Sequence, residues 1–447
     1  MNPAAVSPSL SNVADRAIAI RNQLPQGGLF AGHEWRISPD PFPLDAGLSR
    51  ELETLGRVLL QFNRAVNLLY RRSVSGKEPG WVTRWLDQGK PDDLIAMQRS
   101  EAMKNELPRV IRPDLLLTEN GLAIAELDAV PGGIGLTAWL NQTYAAAGHP
   151  VVGGADGMVR GFSSIFGKAE NVHLVVSEEA STYRPEMEWL CRRLNEQGHR
   201  FTLRNGDRFP FADGDAVYRF FELFDVANVG AARPLFEAAI GKRIRLTPPT
   251  KPVFEEKLLF ALLWNRNLRE FWRQELGQGF FDRLLRMVPY TWVLDPVPLP
   301  PHAAIPELNL TDWQQLKTLS QRERDLILKV SGYSEAAWGA RGVYLGSDLP
   351  AGDWSAAVDK AIEEFQRSPY ILQRYHKPKV VESSWFDFAS NQLVPMPGRT
   401  RLCPYYFVAG DGDAARAQLG GVLATVCPAD KKIIHGMRDA ILVPCAA

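Results

Sequence analysis

The chain has 447 residues, of which 45% are hydrophobic and 23% charged, with 51 basic and 51 acidic side chains. This is an ordinary globular composition, long enough for two or three domains, and its zero net charge gives no overall field that would attract nucleic acid or an anionic membrane. Because no run of 18 apolar residues exists and the N-terminal segment lacks the order of a secretory signal, we expect a soluble, cytoplasmic protein.

The first hundred residues predict a helical region, which we assign to residues 1–100. Apolar residues recur at three- and four-residue spacing over 52–69, after a candidate cap at Ser49. This spacing predicts one amphipathic helix of about seven turns. A second, interrupted helical pattern covers residues 81–103.

The middle of the chain predicts a small parallel sheet. Residues 171–207 show a strand, an acidic loop, an amphipathic helix and a second strand, and 214–226 supply a third strand. This βαβ order predicts an α/β domain over 151–245. A helical stretch at 254–275 then begins the region 246–447, where strands and helices alternate. The chain as a whole is predicted to have a mixed α+β fold.

The segment RPDLLLTENGLAIAELDAVPGG, residues 112–133, predicts a β-hairpin with unusual charge. Its charged positions near the open end are Arg112, Asp114, Glu126 and Asp128. A two-residue turn at 120–121 would scatter the acids over both faces, whereas a three-residue loop ending at Gly121 gives paired positions whose numbers sum to 240. We choose the second register, because it places all four charged residues on one face and apolar residues on the other.

Three carboxylates held this close together require a compensating charge. Directly opposed residues have Cβ atoms about 4.5–5.5 Å apart, and one arginine cannot neutralise three acids. Magnesium prefers oxygen ligands and often binds carboxylates together with substrate phosphates. We therefore predict a magnesium ion carrying a nucleoside triphosphate. We expect Glu126→Gln to abolish magnesium-dependent ATP turnover, to leave the fold intact and, by relieving repulsion, even to raise thermal stability. The alternative is a solvated hairpin edge with a single arginine–acid pair.

The pattern R-x-D, eleven residues, then E-x-D and a glycine-containing loop resembles a segment of glutathionylspermidine synthetase and its relatives, including eukaryotic glutathione synthetase. The resemblance extends, more weakly, over residues 100–447. It implies a circularly permuted ATP-grasp fold, with the magnesium hairpin in 101–150 and a pre-ATP-grasp domain after it. It also implies Asp114, Glu126 and Asp128 as the magnesium ligands.

The same resemblance implies that Arg112 stabilises charge on the transferring phosphoryl and acyl groups. Asp128 stands where asparagine is usual, which adds negative charge to the site.

The resemblance implies further cations at the site. Lys257, in PVFEEKLLFALLW, and Lys329, in LILKVS, resemble the two lysines that hold ATP phosphates. Arg401, in RLCPYYFV, resembles a strand arginine that reaches substrate or phosphate. From the residues alone, Lys257 could equally be a solvated helix lysine and Arg401 a plain edge-strand charge.

A flap and an adenine hinge are implied as well. The glycine-containing stretch 332–346 resembles the flap that closes over phosphates, with Glu335 as an additional acid, although the usual K-P-x-x-G-G wording is absent. The hinge is implied around Ile371, Leu372 and Gln373, where backbone groups would bind adenine.

The loop after the acids resembles the substrate loop of the family. Its residues are Pro131, Gly132, Gly133 and Gly135, and a helix is expected from about Thr137. A glycine loop at a helix start binds anions, so a carboxylate or an acyl phosphate is expected there. Glutathione itself is not implied.

The resemblance implies an ATP- and magnesium-dependent ligase that joins a carboxylate to an amine through an acyl phosphate. The expected cofactors are ATP and Mg²⁺, and the expected partners are a small-molecule or peptide carboxylate and an amine, with a homodimer left open. The chain has no GxSxG, Cys–His or Walker A motif, which fits chemistry without a side-chain nucleophile. Two alternatives remain: a non-catalytic, ATP-binding regulatory or partner-binding protein, and a phosphotransferase.

Overall fold

The computed structural model describes residues 10–24, 35–300, 303–337, 341–434 and 439–447, with the backbone alone at 10–12. The helices are α1 (Leu10–Asn22), α2 (Ala46–Val74), α3 (Gly80–Asp87), α4 (Asp92–Arg99), α5 (Ile134–Ala146), α6 (Gly157–Ser164), α7 (Arg184–Glu196), α8 (Ala232–Ile240), α9 (Leu259–Trp264), α10 (Arg269–Met287) and α11 (Ala351–Glu363). The strands are β1 (Phe42–Pro43), β2 (Val110–Thr118), β3 (Gly121–Asp128), β4 (Val172–Val176), β5 (Phe201–Arg204), β6 (Ala216–Phe220), β7 (Arg245–Thr247), β8 (Thr291–Val293), β9 (Leu326–Val330), β10 (Val343–Leu345), β11 (Tyr370–Arg374), β12 (Val380–Val381), β13 (Ser384–Asp387), β14 (Gln392–Pro395), β15 (Gly398–Ala409), β16 (Arg416–Pro428) and β17 (Ile441–Ala446). The predicted mixed α+β class is confirmed.

The largest sheet has seven strands in the order β1-β17-β16-β15-β2-β3, with β12 also paired to β15. Helices cover both of its faces. On one face Gly56 of α2 packs against Tyr406, and on the other Gly161 of α6 packs against Phe407. Because neighbouring residues of a strand point to opposite faces, β15 contributes to both layers. The predicted acidic hairpin, β2–β3, forms one edge of this sheet.

The long amphipathic helix is confirmed as α2, but it begins earlier than predicted. The Asp45 side chain accepts a hydrogen bond from the Leu48 N–H at 2.8 Å and caps the helix, whereas Ser49 lies inside its first turns. The interrupted pattern that follows is confirmed as α3 and α4. Within the described residues, no helix is long and apolar enough to cross a membrane.

The predicted βαβ unit is confirmed as a four-stranded parallel sheet, in the order β5-β4-β6-β7. Helix α7 connects β4 to β5 and packs against α5, which follows the acidic hairpin. This contact brings the start of α7 to the loop that carries the hairpin glycines.

The predicted helical stretch over 254–275 is confirmed, but it is divided into several helices. Helix α9 ends at Trp264, and Asn265 accepts a hydrogen bond from the Asn267 N–H at 3.0 Å, which caps a separate short turn before α10. A second four-stranded sheet follows, antiparallel, in the order β10-β9-β11-β8. Its outer face packs on α11 through Leu328, Leu372 and Trp354, so its other face is turned toward the hairpin.

Candidate functional site

The open end of the hairpin has the predicted register. Arg112 pairs with Asp128 and Asp114 pairs with Glu126, so their numbers sum to 240. All four charged side chains therefore share one face of the sheet.

The register near the turn differs from the prediction by one residue. Thr118 pairs with Gly121, which leaves a two-residue turn, and this shifted register continues as far as Ile124. A β-bulge at Ala125 then adds one residue and restores the predicted pairing beside the acids. The bulge thus decides which face the acids occupy.

A break in the neighbouring ladder coincides with the charged face. Strands β2 and β15 pair at 110–111 with 406–407 and at 115–116 with 401–402. Pro113 and Pro404 fall between these paired segments, and neither has a backbone N–H to donate. The two prolines therefore explain the interruption beside Asp114.

Each hairpin acid has a cation. Arg112 Nη2 lies 3.1 Å from Asp114 Oδ1 and 3.0 Å from Asp128 Oδ2. Arg401 Nη1 lies 2.9 Å from Asp114 Oδ2, and Lys257 Nζ lies 2.8 Å from Glu126 Oε1. Three acids are thus balanced by three cations without any further ion.

This balance corrects the charge argument made from the sequence. That argument counted one arginine, but Arg401 comes from β15, 287 residues beyond Asp114. The side chains of Arg401 and Lys257 are 19% and 11% exposed, so neither is a solvated surface charge. The expectation that Glu126→Gln would raise stability was wrong in its premise, because the mutation would leave Lys257 without its partner.

Burial and the neighbouring cations act in opposite directions on the pKa values of the two more enclosed acids. Burial would raise the pKa of Asp114, but Arg112 and Arg401 outweigh it and hold that pKa below its ordinary value. For Asp128, burial prevails over Arg112 and raises the pKa. The Cys403 thiol donates to Asp114 Oδ1 at 3.4 Å, and burial raises the pKa of Cys403 to about 12, so it remains a neutral donor.

The donor set fits one magnesium ion held by two acids rather than three. Within the described ranges, no group of three or more His, Cys, Asp or Glu side chains is arranged to hold a metal ion. Asp114 is 8% exposed and both its oxygens accept hydrogen bonds or ion pairs. Glu126 and Asp128 are 36% and 24% exposed, and two carboxylates suit magnesium when phosphates complete its shell.

Lys329 joins the site at the bulge. Its Nζ donates to the Ala125 carbonyl at 3.0 Å and to Gln373 Oε1 at 3.0 Å, and Gln373 Nε2 donates to Thr291 Oγ1 at 3.0 Å. Burial lowers the pKa of Lys329 to about 8, an effect that Glu126 partly opposes. Lys329 is therefore a buried amine whose charge responds to a neighbouring anion.

The predicted hinge does not lie at a free backbone. Leu372 pairs with both Leu328 and Trp292, so the backbone of β11 is hydrogen-bonded on each side. The Leu372 side chain faces the core on α11, whereas Gln373 enters the site through its side chain. The chain leaves this sheet only after Arg374.

The predicted flap lies beside Lys257 where it is described. Glu335 is exposed in the one-turn helix Glu335–Ala337, and the Ala337 carbonyl accepts from Lys257 Nζ at 3.0 Å. Trp338, Gly339 and Ala340 of the predicted flap lie outside the described residues.

The glycine loop is held by a carboxyl group that belongs to the chain itself. Helix α5 begins at Ile134, three residues before the predicted start, and the Glu186 carboxylate accepts from the Gly133 N–H at 2.7 Å and the Leu136 N–H at 3.0 Å. Gly133 has φ 85°, a conformation that favours glycine. The helix N-terminus that was expected to hold a substrate anion is thus occupied by Glu186.

The preceding residue of the loop is tied to the charged face. The Gly132 carbonyl accepts from the Tyr405 hydroxyl at 2.7 Å and from Arg112 Nη1 at 3.3 Å. The loop therefore positions Arg112 and is not free to wrap around a ligand. Pro131 leads into this tied segment, and Gly135 packs against the backbone of Glu186.

Sequence reasoning missed four residues of the site. They are Glu186, Glu222, Cys403 and Tyr405. Cys403 and Tyr405 could have been found, because they alternate with Arg401 on one strand and so share its face. Glu222 follows β6, where burial and then the nearby Glu255 raise its pKa well above the ordinary value, with Asp128 adding to the shift. No local pattern marks Glu222 or Glu186.

The solved structures to which this chain is similar include the following two. A glutathione synthetase-like effector from Globodera pallida, in its apo form, matches with a TM-score of 0.54 at 11% identity, covering 98% of this chain and 96% of that chain. A Methylobacillus flagellatus protein, named as a candidate gamma-glutamylcysteine synthetase, matches with a TM-score of 0.41 at 12% identity, covering 86% of this chain and 87% of that chain. No protein-family model and no curated protein matches the chain.

The first likeness spans nearly the whole of both chains. The chain therefore has a glutathione synthetase-like fold, as the hairpin motif predicted. At 11% identity the likeness shows the fold alone, and the circular permutation stays a prediction.

The ion pairs predict that removal of different acids lowers the free energy of unfolding by different amounts. Asp114→Asn should lower the free energy of unfolding by about 3–5 kcal/mol, because it leaves two enclosed arginines facing each other. Glu126→Gln should lower it by only about 1 kcal/mol, because that pair is more exposed and screened. Urea unfolding measures both values, and equal effects would contradict the ordering.

Glu186 predicts a pH-dependent stability. Burial raises its pKa to about 7 from an ordinary 4.5. The folded chain keeps this proton up to about pH 7 while the unfolded chain releases it near pH 4.5, so stability is lost as pH rises through that window. The stability of Glu186→Gln relative to wild type should rise by up to about 3 kcal/mol between pH 4.5 and pH 8.

Urea unfolding across this pH range provides the measurement, with Glu188→Gln on the exposed side of α7 as the control. A wild-type-to-variant difference that stays constant with pH for Glu186→Gln would show that the carboxyl titrates normally.

Proposed function

We propose that this chain is an ATP- and magnesium-dependent ligase that joins a carboxylate to an amine through an acyl phosphate. The observation that supports it best is the meeting of two lysines from separate segments, Lys257 and Lys329, at one acid, Glu126, in a glutathione synthetase-like fold. Glu126 is partly exposed, whereas Lys257 and Lys329 are enclosed, so both lysines can exchange this acid for another anion when a polyanion binds.

The ion pairs indicate how the two lysines would change partners when ATP binds. Phosphate oxygens of ATP would take Lys257 from Glu126 and Lys329 from the Ala125 carbonyl and Gln373. Glu126 would then be left with an uncompensated charge, beside Asp128, and become a metal ligand. Because the magnesium ion offsets part of the negative charge of the triphosphate, the net charge of the enclosed site changes less than it would with the triphosphate alone.

Magnesium, when held by Glu126 and Asp128, would spread the charge that develops on the transferring phosphoryl group. Lys257 and Lys329 would orient the phosphates and stabilise the same charge. Asp114 fixes the guanidinium of Arg401 and, with Asp128, that of Arg112. Both arginines would then face the carboxylate substrate, and the base of ATP would contact the chain beyond Arg374.

The reaction needs no side-chain nucleophile. A carboxylate oxygen attacks the γ-phosphorus, ADP leaves, and an acyl phosphate forms. The amine then attacks the acyl carbon, phosphate leaves with the former carboxylate oxygen, and the nitrogen loses a proton. The arginines act by holding negative oxygens at each step, which is electrostatic rather than covalent catalysis.

A non-catalytic nucleotide-binding protein is the second candidate. The pairing of every hairpin acid with a cation favours it, since the site is electrostatically satisfied without turnover. Under this alternative ATP would bind and remain intact.

Isotope transfer tests the ligase directly. The protein is incubated with ATP, magnesium, amines and ¹⁸O-labelled carboxylates, and the products are analysed by mass spectrometry. We expect ADP, an amide and one ¹⁸O in the released phosphate. All three should be lost in Lys257→Met but retained in Lys77→Met, a variant at an exposed position. A phosphorylated product without amide would indicate a phosphotransferase, and bound, unhydrolysed ATP would indicate the non-catalytic alternative.

Lys329 predicts proton uptake on ATP binding. With a pKa of about 8, about half of the Lys329 amines lack the proton at pH 8, and adjacent phosphates should restore it. Calorimetry in buffers of different ionisation enthalpy should show uptake of about half a proton for wild type. Lys329→Arg, which stays charged, should bind ATP without this uptake; equal uptake in both proteins would place the titrating group elsewhere.

A further inference from the structure

A buried ion pair joins the turn before α4 to the residue that precedes Lys257. Lys90 Nζ is 2.5 Å from Glu256 Oε1, and both side chains are 0% exposed. Lys90 belongs to the turn between α3 and α4, where Gly89 approaches the Arg367 carbonyl so closely that a Cβ would lie 1.9 Å from it. The turn that carries Lys90 is therefore packed against the segment that leads into β11, the strand paired with the Lys329 strand.

Glu256 also connects Lys90 to the backbone around Lys257, through Ser331. Its second oxygen accepts from the Ser331 hydroxyl. Ser331 Oγ in turn accepts from the Leu258 N–H at 2.9 Å, and the Ser331 carbonyl accepts from the Lys257 N–H at 2.9 Å. Lys257 is thus held at its own N–H and at both neighbouring residues.

Ser331 lies two residues beyond Lys329, directly after β9. The same hydroxyl and carbonyl that hold the Lys257 segment therefore belong to the strand that carries the second lysine. The next residue, Gly332, packs closely against the Glu256 segment: a Cβ atom at position 332 would lie 2.3 Å from the Glu255 carbonyl oxygen. The separation of the two lysine backbones is consequently set by the contacts between Glu256 and Ser331.

We infer that Lys90 is a positioning residue for nucleotide binding: by neutralising Glu256, it holds the Glu256–Ser331 junction that fixes Lys257 relative to Lys329. Lys90 is fully buried and does not reach the hairpin acids itself, so it acts through Glu256. This inference rests on the proposed function, because it assigns the two lysines to one polyanion. It gives the N-terminal helical region a role in placing two lysines that come from the C-terminal half of the chain.

An ordinary structural salt bridge makes a different prediction. If Lys90 only held the N-terminal region in place, its loss would lower stability and leave the ATP affinity of the folded protein unchanged. If it positions the lysines, the affinity of the folded protein falls as well, because a misplacement of about 1 Å can cost about a hundredfold in function.

The test compares Lys90→Met, Lys90→Arg and the surface control Lys104→Met by calorimetric titration with magnesium and ATP, after circular dichroism has shown each protein to be folded. Lys104 pairs with Glu101 at the surface, with side chains 41% and 79% exposed. We expect the ATP Kd to rise about tenfold in Lys90→Met, to return toward wild type in Lys90→Arg, and to stay unchanged in Lys104→Met.

Ser331→Ala provides a second variant that creates no unpaired buried cation and decides the matter if Lys90→Met fails to fold. It removes the hydroxyl that joins Glu256 to the Leu258 N–H, so its ATP Kd should also rise severalfold. Wild-type affinity in folded Lys90→Met, or in Ser331→Ala when Lys90→Met does not fold, would overturn the inference while leaving the proposed function intact. Failure of the wild-type protein to bind ATP would overturn both.

Discussion

A charge balance at the edge of the largest sheet constrains the rest of the structure. The acids are Asp114, Glu126 and Asp128, and the cations are Arg112, Lys257 and Arg401. The cations come from the hairpin itself, from the segment before α9 and from β15, so the acids are tolerated only when three distant segments are correctly placed. Enclosed charges of one sign cost several kcal/mol when a partner is lost. The stability of the hairpin and the correct assembly of the site are therefore energetically linked.

The backbone around these charges departs from regular β-structure at points that position residues of the site. The bulge at Ala125 turns the acids to one face and presents a carbonyl to Lys329. Pro113 and Pro404 leave a gap in the ladder beside Asp114. Glu186 occupies the helix N-terminus that follows, so the glycine loop is rigid before any substrate arrives. Such preorganisation lowers the cost of ordering the site when a ligand binds.

Local patterns predicted much of the fold. Apolar spacing located α2, the βαβ order located the parallel sheet, and the segregation of charge gave the register beside Asp114. Contacts distant in sequence could not be predicted in this way. The Arg401–Asp114 pair joins residues 287 apart, so the sequence argument counted too few cations. The two-sided pairing of Leu372 likewise depends on which strands become neighbours, and that is decided by the whole sheet.

The exchange of partners at Glu126 is the central claim, and a crystal structure with magnesium and a non-hydrolysable ATP analogue tests it most directly. The account predicts Lys257 Nζ on a phosphate oxygen, a metal ion between Glu126 and Asp128, and Asp114 still paired with Arg401. A nucleotide bound elsewhere, or an intact Lys257–Glu126 pair beneath a bound triphosphate, would contradict it.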